Sequence, residues 1–278
     1  MGAARYLGRI APTPTGDMHV GHARTFFQAF RRAEAAGGSV LLRIEDLDPL
    51  RCKDEWTQRA IDDLAWLGIW WSEGPLYQSR RRDVYEDAWR VLRDAGHIYP
   101  SSVSRRELRD AAHAPHEDEE GAEPIFPPEL RPPADAGRDV EHPAGTVWRF
   151  RVPDGEVIRF ADECRGDQAF TAGVDFGDFV VWRKDDVPAY ELAVVADDVA
   201  MRITEVVRGE DLLRSTARQL LVYRALGATP PAWSHLPLVR DAQGRRLAKR
   251  HQSLSIRELR LRGMSPEDVL GLAERAYR

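Results

Sequence analysis

The chain has 278 residues, 43% hydrophobic and 31% charged, with a formal net charge of −5. That balance gives room for one large α/β domain, or one domain with a sizeable insertion, and excludes a disordered or fibrous chain. No apolar run approaches the roughly 18–20 residues of a membrane span, no signal-peptide core precedes the first polar turn, and Cys52 and Cys164 are too few for a disulfide framework or a zinc site of their own, so the expectation is a cytoplasmic protein without a membrane partner.

In chain order, residues 8–11 end a first strand, and Pro12 and Pro14 force a loop after it. A helix is predicted over 20–36, stopped by Gly37-Gly38, and a compact apolar strand over 39–44. Trp56, Ala60, Ile61 and Leu64 repeat at helical spacing, as do Tyr85, Ala88, Trp89 and Leu92 before Gly96. Strand, helix, strand, helix is the order of a doubly wound, Rossmann-like parallel sheet. Residues 104–114 read as a further helix, and 115–143, rich in proline and acidic residues, as a loop-rich insertion. Strands are expected over 146–152, 157–161, 179–183, 202–208 and 233–240. Helices are expected over 190–198, 216–226, 255–262 and 266–276, the last opened by Ser265-Pro266-Glu267. The division is 1–100 for the first half of the catalytic sheet domain, 101–145 for the acidic insertion, 146–228 for the rest of the insertion and the second half of the sheet domain, and 229–278 for a basic loop and a small helical end.

Charge is uneven along this frame. Residues 101–145 hold 11 acidic and 5 basic side chains, whereas 240–278 hold 10 basic and 5 acidic, so a local positive field suited to phosphate lies at the C-terminal end. The plainer alternative there is a solvated helical face.

The residues with chemical potential begin at Arg9-Ile-Ala-Pro-Thr-Pro-Thr-Gly16 and His19-Val20-Gly21-His22. A strand end, a rigid loop and a helix start coincide there, where open α/β sheets bind ligands and where helix N–H groups and the dipole favour phosphate. Two histidines three residues apart are donors for phosphate oxygens, Gly21 lets a flat base approach, and Arg9 suits a carboxylate. Taken alone, two histidines at this position could simply cap the helix.

The segment resembles the HIGH signature of class I aminoacyl-tRNA synthetases. Its surroundings resemble the glutamyl branch, as do Leu42-Arg43-Ile44-Glu45-Asp46-Leu47-Asp48-Pro49, Gly74-Pro75-Leu76-Tyr77-Gln78-Ser79, the run from Pro188 through Tyr190 to Asp197-Asp198, and Val207-Arg208-Gly209-Glu210-Asp211-Leu212-Leu213. The resemblance implies that Arg9, Ala11, Thr13, Glu45, Tyr190 and Arg208 hold L-glutamate, with Thr13 where relatives usually carry serine and Glu45 on the α-ammonium. It implies that Pro12, His19, Gly21 and His22 meet ATP. Gly244-Arg245-Arg246-Leu247-Ala248-Lys249-Arg250 resembles the KMSKS loop, so Arg246, Leu247 and Lys249 join the ATP site. The catalytic set is then His19, His22 and Lys249, with Mg²⁺ accompanying ATP. Arg246 stands for the first lysine and Ala248 for the serine of that signature.

Full-length members of the branch continue for about 200 residues beyond this loop, into an anticodon-binding region. Here fewer than 30 residues follow Arg250. The resemblance is therefore to the short paralogues, which activate glutamate without tRNA and attach it to queuosine in the anticodon of tRNA(Asp). The alternatives are a truncated synthetase charging tRNA(Glu) and a non-catalytic binding paralogue. The short paralogues usually bind zinc in the insertion, but the matching positions here are Ser101, Val103, Phe126 and Leu130, so no zinc is expected. Apolar contacts such as Val103, Ile125 and Phe126 are expected to hold the insertion instead. A monomer is expected from the lack of an obvious exposed apolar stripe.

Overall fold

The computed structural model describes residues 5–103, 125–239 and 255–275. The first part of the chain runs β1 (Leu7–Ile10), α1 (Val20–Ala35), β2 (Ser39–Ile44), α2 (Asp54–Trp66), β3 (Glu73–Tyr77) and α3 (Arg82–Asp94). An inserted region follows with β4 (Ile98–Ser101), β5 (Val147–Phe150), β6 (Val157–Asp162), β7 (Gly166–Thr171) and β8 (Phe179–Trp182). The chain then returns through α4 (Tyr190–Ala200), β9 (Glu205–Gly209), α5 (Leu213–Ala225) and β10 (Ala232–Leu236), and ends in α6 (Ile256–Leu261) and α7 (Pro266–Arg275).

β1, β2 and β3 pair in parallel with β2 central, and β9 pairs in parallel with β10. The two pieces meet where the Thr204 amide donates to the Leu7 carbonyl at 2.9 Å. The result is the expected Rossmann-like arrangement, with strand order β3-β2-β1-β9-β10. Side chains alternate across a strand, so β2 feeds both faces of the sheet. Val40, Leu42 and Ile44 join the apolar cluster containing α1, α2 and the C-terminal helices. Leu41 joins the opposite cluster, with α3, α4 and α5. Helices therefore cover both faces, as an all-parallel sheet requires.

The inserted region is antiparallel. β4, β5 and β8 form one sheet with β5 central, and β6 and β7 form a hairpin. Phe150 stacks on Phe179 at 5.1 Å, and Trp148 meets Trp89 of α3 edge-on at 4.8 Å, which ties the insertion to the parallel domain. β3, β4 and β7 have no counterpart in the sequence reading. Gly74-Pro75, Pro100 and the polar run Gly166-Asp167-Gln168 hide them, and pairing with a neighbouring strand supplies what propensity lacks. β10 is shorter than the predicted strand 233–240, because Pro237 has no N–H for the ladder. The predicted helix 104–114 lies outside the described residues. Residues 125–143 are loop with one short 3₁₀ turn, Pro128–Leu130.

The proposed zinc-equivalent positions take up apolar or solvent-facing places. Phe126 is buried edge-on to Tyr99, with Val103 against both, Ser101 closes β4, and Leu130 is partly exposed. Ile125 and Phe126 lie so close to Gly177 that a Cβ there would fall 2.5 Å from the Phe126 amide nitrogen. Apolar contact is only part of the restraint. The buried Asp178 carboxylate accepts from Arg131 Nε and Nη2, both at 2.7 Å, from the Tyr99 hydroxyl at 2.5 Å and from the Val152 amide at 2.9 Å. An arginine–carboxylate fork therefore closes the insertion, and the sequence reading did not find it.

Candidate active site

The Pro12–Pro14 loop is pinned at both ends. The Glu45 amide donates to the Pro12 carbonyl at 3.0 Å, and the Lys53 amide to the Pro14 carbonyl at 3.2 Å. This holds the carboxyl ends of β1 and β2 around the start of α1. There His19 is the N-cap, and its Nδ1 accepts from the Gly21 amide at 3.1 Å, while His22 Nδ1 accepts from the His19 amide at 3.2 Å. The two rings stack with centroids 3.9 Å apart. The capping alternative therefore describes what the Nδ1 atoms do. It also fixes the chemistry of the other nitrogen, since a neutral imidazole that accepts at Nδ1 carries its proton on Nε2 and is a donor there.

A cavity of about 590 Å³ opens at this helix start. Its lining includes Arg9, Ala11, Thr13, His19, Gly21, His22, Glu45, Tyr190 and Arg208, which come from β1 and the loop after it, the residue following β2, the opening of α1, the start of α4 and β9. Pro12 lines an adjoining recess of about 180 Å³ together with Thr13, Met18 and His22. The volume is that of a small-molecule site. Arg246, Leu247 and Lys249 lie outside the described residues. The chain on either side of them is anchored here: Val239 lines the cavity, Ser255 bridges to His19, and the Ile256 amide donates to the Met18 carbonyl at 2.8 Å.

The charges around the cavity are deeply set. Arg9 is buried, donates from Nη1 to the Val207 carbonyl at 3.1 Å and has Asp198 3.9 Å from its Nε. Burial holds its guanidinium below the usual arginine range, against the pull of Asp198. Arg43 points to the α4 face of β2, where it donates to Asp198 at 2.6 Å and to Glu45 at 3.2 Å and lies 3.9 Å from Asp197. Asp197 in turn accepts from Gln78 at 2.8 Å, Arg81 at 2.7 Å and Tyr85 at 3.0 Å. Burial pushes the Glu45 carboxyl up, and Arg43 and Arg9 pull it back. Burial likewise raises the Tyr190 phenol, while Arg208 lowers it.

Arg208 is held on several sides. Its Nε donates to His235 Nε2 at 3.0 Å, Nη2 to Thr216 Oγ1 at 2.6 Å and Nη1 to the Tyr190 hydroxyl at 3.4 Å, with the Trp233 ring 4.9 Å beneath. Residues 7–276 match the family described as "tRNA synthetases class I (E and Q), catalytic domain". The chain belongs to that family of ligases.

Among individual relatives, it is 45% identical over 274 residues to the glutamyl-Q tRNA(Asp) synthetase of Nitratidesulfovibrio vulgaris, covering 95% of this chain and 84% of that one. It is 42% identical over 280 residues to the protein of the same name in Rhodopirellula baltica, covering 96% and 84%. It is 40% identical to a glutamate–tRNA ligase of Syntrophus aciditrophicus, covering 94% of this chain but 55% of that one, so it spans about half of these longer ligases. A solved glutamate–tRNA ligase from Elizabethkingia meningosepticum, crystallised with its amino acid, superposes with a TM-score of 0.74 at 28% identity, over 94% of this chain and 54% of that one.

Among the residues that support the cavity of this family member rather than line it, the sequence reading missed Asp162 and His235, and it gave no role to Arg43, Asp197, Asp198 and Thr216, which lie in motifs or elements it did read. An acidic pair inside an apolar helix such as Leu192–Ala196 was the one available signal, since unpaired carboxylates are rarely buried. No helix among the described residues is long and apolar enough to cross a membrane.

Proposed function

We propose that this protein activates L-glutamate with ATP and transfers the glutamyl group to queuosine in the anticodon of tRNA(Asp). The observation that carries the first step is the convergence of Arg9, Glu45, Tyr190 and Arg208 on one cavity beside the paired imidazoles. In that reading Arg9 and Arg208 take the carboxylates of glutamate, Glu45 takes its ammonium, and Ala11 and Thr13 line the same end. Glutamine is disfavoured because a neutral amide leaves a buried guanidinium without its counter-charge.

One α-carboxylate oxygen of glutamate attacks the α-phosphorus of ATP. A P–O bond forms, the bond to the β,γ-phosphates breaks, and pyrophosphate leaves with its charge. No base is needed, because the carboxylate is already ionised. Catalysis is positioning and charge stabilisation: His19 and His22 donate from Nε2, Pro12 and Gly21 face the nucleotide, and Arg246, Leu247 and Lys249 bind ATP, Lys249 neutralising charge as pyrophosphate leaves. Mg²⁺ would enter on the ATP phosphate oxygens and neutralise charge there. Among the described residues no group of three His, Cys, Asp or Glu is placed to hold a metal ion by itself. Zinc has no part in the proposal.

The acceptor is supported by the two relatives named glutamyl-Q tRNA(Asp) synthetase. Charging of tRNA(Glu) is the second reading, favoured by the 40% identity to a glutamate–tRNA ligase. Glutamate-dependent pyrophosphate exchange without tRNA tests activation, and its absence would leave a non-catalytic binder. Labelled glutamate offered with queuosine-containing tRNA(Asp) and with tRNA(Glu) decides the acceptor; product on tRNA(Glu) alone would overturn the first choice. The same proposal includes a cytoplasmic monomer, which sizing chromatography checks.

A further inference from the structure

We propose that His235 is a positioning residue that aims Arg208 into the cavity, as a hydrogen-bond acceptor whose tautomer Asp162 dictates. The inference rests on the reading that Arg208 meets glutamate. His235 of β10 is fully buried and lies directly beside Arg208 of β9 in the parallel register. Arg208 is an obligate donor, so the imidazole nitrogen it meets, Nε2 at 3.0 Å, must present a lone pair. A neutral ring with a lone pair on Nε2 carries its proton on Nδ1.

Asp162 enforces that choice. Its Oδ2 lies 2.5 Å from His235 Nδ1, and an ionised carboxylate can only accept. Its Oδ1 accepts from the backbone amides of Cys164 at 3.0 Å and Arg165 at 2.9 Å, and the His235 amide is shared between Oδ1 at 3.2 Å and Oδ2 at 3.1 Å. The remaining donors close without conflict. Arg208 Nη2 donates to Thr216 Oγ1 at 2.6 Å, and that hydroxyl, which also lies 2.9 Å from His235 Nε2, donates onward to the Leu212 carbonyl at 3.1 Å or to the same Nε2 lone pair. With Nε and Nη2 spoken for and Trp233 beneath, the edge of the guanidinium bearing Nη1 faces Tyr190 at the cavity wall. Burial, and then the Arg208 charge, keep His235 neutral by pushing it down to about 4.

Asp162→Asn tests the logic with almost no change in shape. The amides of Cys164, Arg165 and His235 all reach the Oδ1 position and hold the side-chain oxygen there, so the new NH₂ faces His235 Nδ1. The imidazole must then accept at Nδ1 and carry its proton on Nε2, where Thr216 Oγ1 at 2.9 Å can accept it but the Nε–H of Arg208 loses its lone pair. Nitrogen-15 NMR of the imidazoles near neutral pH, with His235→Gln identifying the resonance, is expected to show Nδ1–H in the wild type and Nε2–H in Asp162→Asn. In pyrophosphate exchange, Asp162→Asn and His235→Leu should raise the KM for glutamate roughly tenfold, the scale of one hydrogen bond to a charged group. The KM for ATP should stay within about twofold. His235→Gln, which restores an acceptor near Nε2, should recover most of the loss. Nε2–H in the wild type, KM values for both substrates rising together, or His235→Gln as impaired as His235→Leu would each overturn the inference while leaving the functional reading standing. A wild-type protein that neither binds nor activates glutamate would overturn that reading, and this inference with it.

Discussion

Removing one member of the fork that closes the insertion is expected to be costly, and removing its outer neighbour is not. Arg131→Ala deletes both 2.7 Å bonds to Asp178 and leaves that buried carboxylate with only the Tyr99 hydroxyl and the Val152 amide. The side chain of Asp178 is 0% exposed and that of Arg131 10%, so water replaces little of what is lost. Breaking a buried pair from one side costs about 3–5 kcal/mol, a large share of the roughly 5–15 kcal/mol that holds a domain together. Arg131 also pairs with Asp154, whose side chain is 38% exposed. Asp154→Ala should therefore cost less than about 1 kcal/mol, as surface pairs do. Urea denaturation of both variants, compared at constant m, gives the two numbers. A chelator should leave the wild-type midpoint unchanged, because the insertion is closed by the Arg131–Asp178 hydrogen bonds and by apolar contacts of Phe126 and Val103. Equal losses for Arg131→Ala and Asp154→Ala, or a loss under about 1 kcal/mol for the former, would refute the assignment of the fork as the closing element.

Arg208→Gln should lower kcat/KM for glutamate by at least about a hundredfold, since a buried charge pair is removed; steady-state exchange kinetics read it directly. Gly21→Ala would bring a Cβ to 2.9 Å from His19 Cε1, so the ring must move from its cap; exchange should slow while fold, followed by circular dichroism, persists. Lys249→Ala should reduce adenylate formation more than glutamate binding, because the proposed mechanism uses its charge as pyrophosphate leaves; equal losses in single-turnover rate and in calorimetric affinity would contradict that. Stability should also depend on pH through His235. Burial and Arg208 lower its imidazole from 6.5 to about 4, whereas Asp162 raises it. Below pH 6.5 the unfolded chain takes up a proton that the folded one refuses until about 4, so this group's contribution to stability falls as pH drops through that window. Between neutral pH and 4.5 the wild type should lose roughly 2–3 kcal/mol more than His235→Gln in unfolding free energy.

The elements that could be read along the chain were those whose signal is local. Val40, Leu42 and Ile44 mark a buried strand, Trp56 to Leu64 repeat at one turn, and the prolines at 12 and 14 announce a loop at a strand end. A ligand site at the carboxyl end of the first strand is implied by the same order of elements. β7 could not be read this way, because Gly166-Asp167-Gln168 carries no apolar alternation and becomes a strand only by pairing with β6.

Amino-acid order by itself carried the parallel α/β architecture, because periodicity is a property of short segments, and its motifs carried the resemblance that implies a glutamate pocket. Only the folded chain decided which buried polar and charged groups meet. His235 and Asp162 are 73 positions apart, Arg43 and Asp198 are 155, and Arg131 and Asp178 are 47. A buried charge is stable beside whichever opposite group the packing delivers, and the spacing of residues along the backbone carries no record of that delivery.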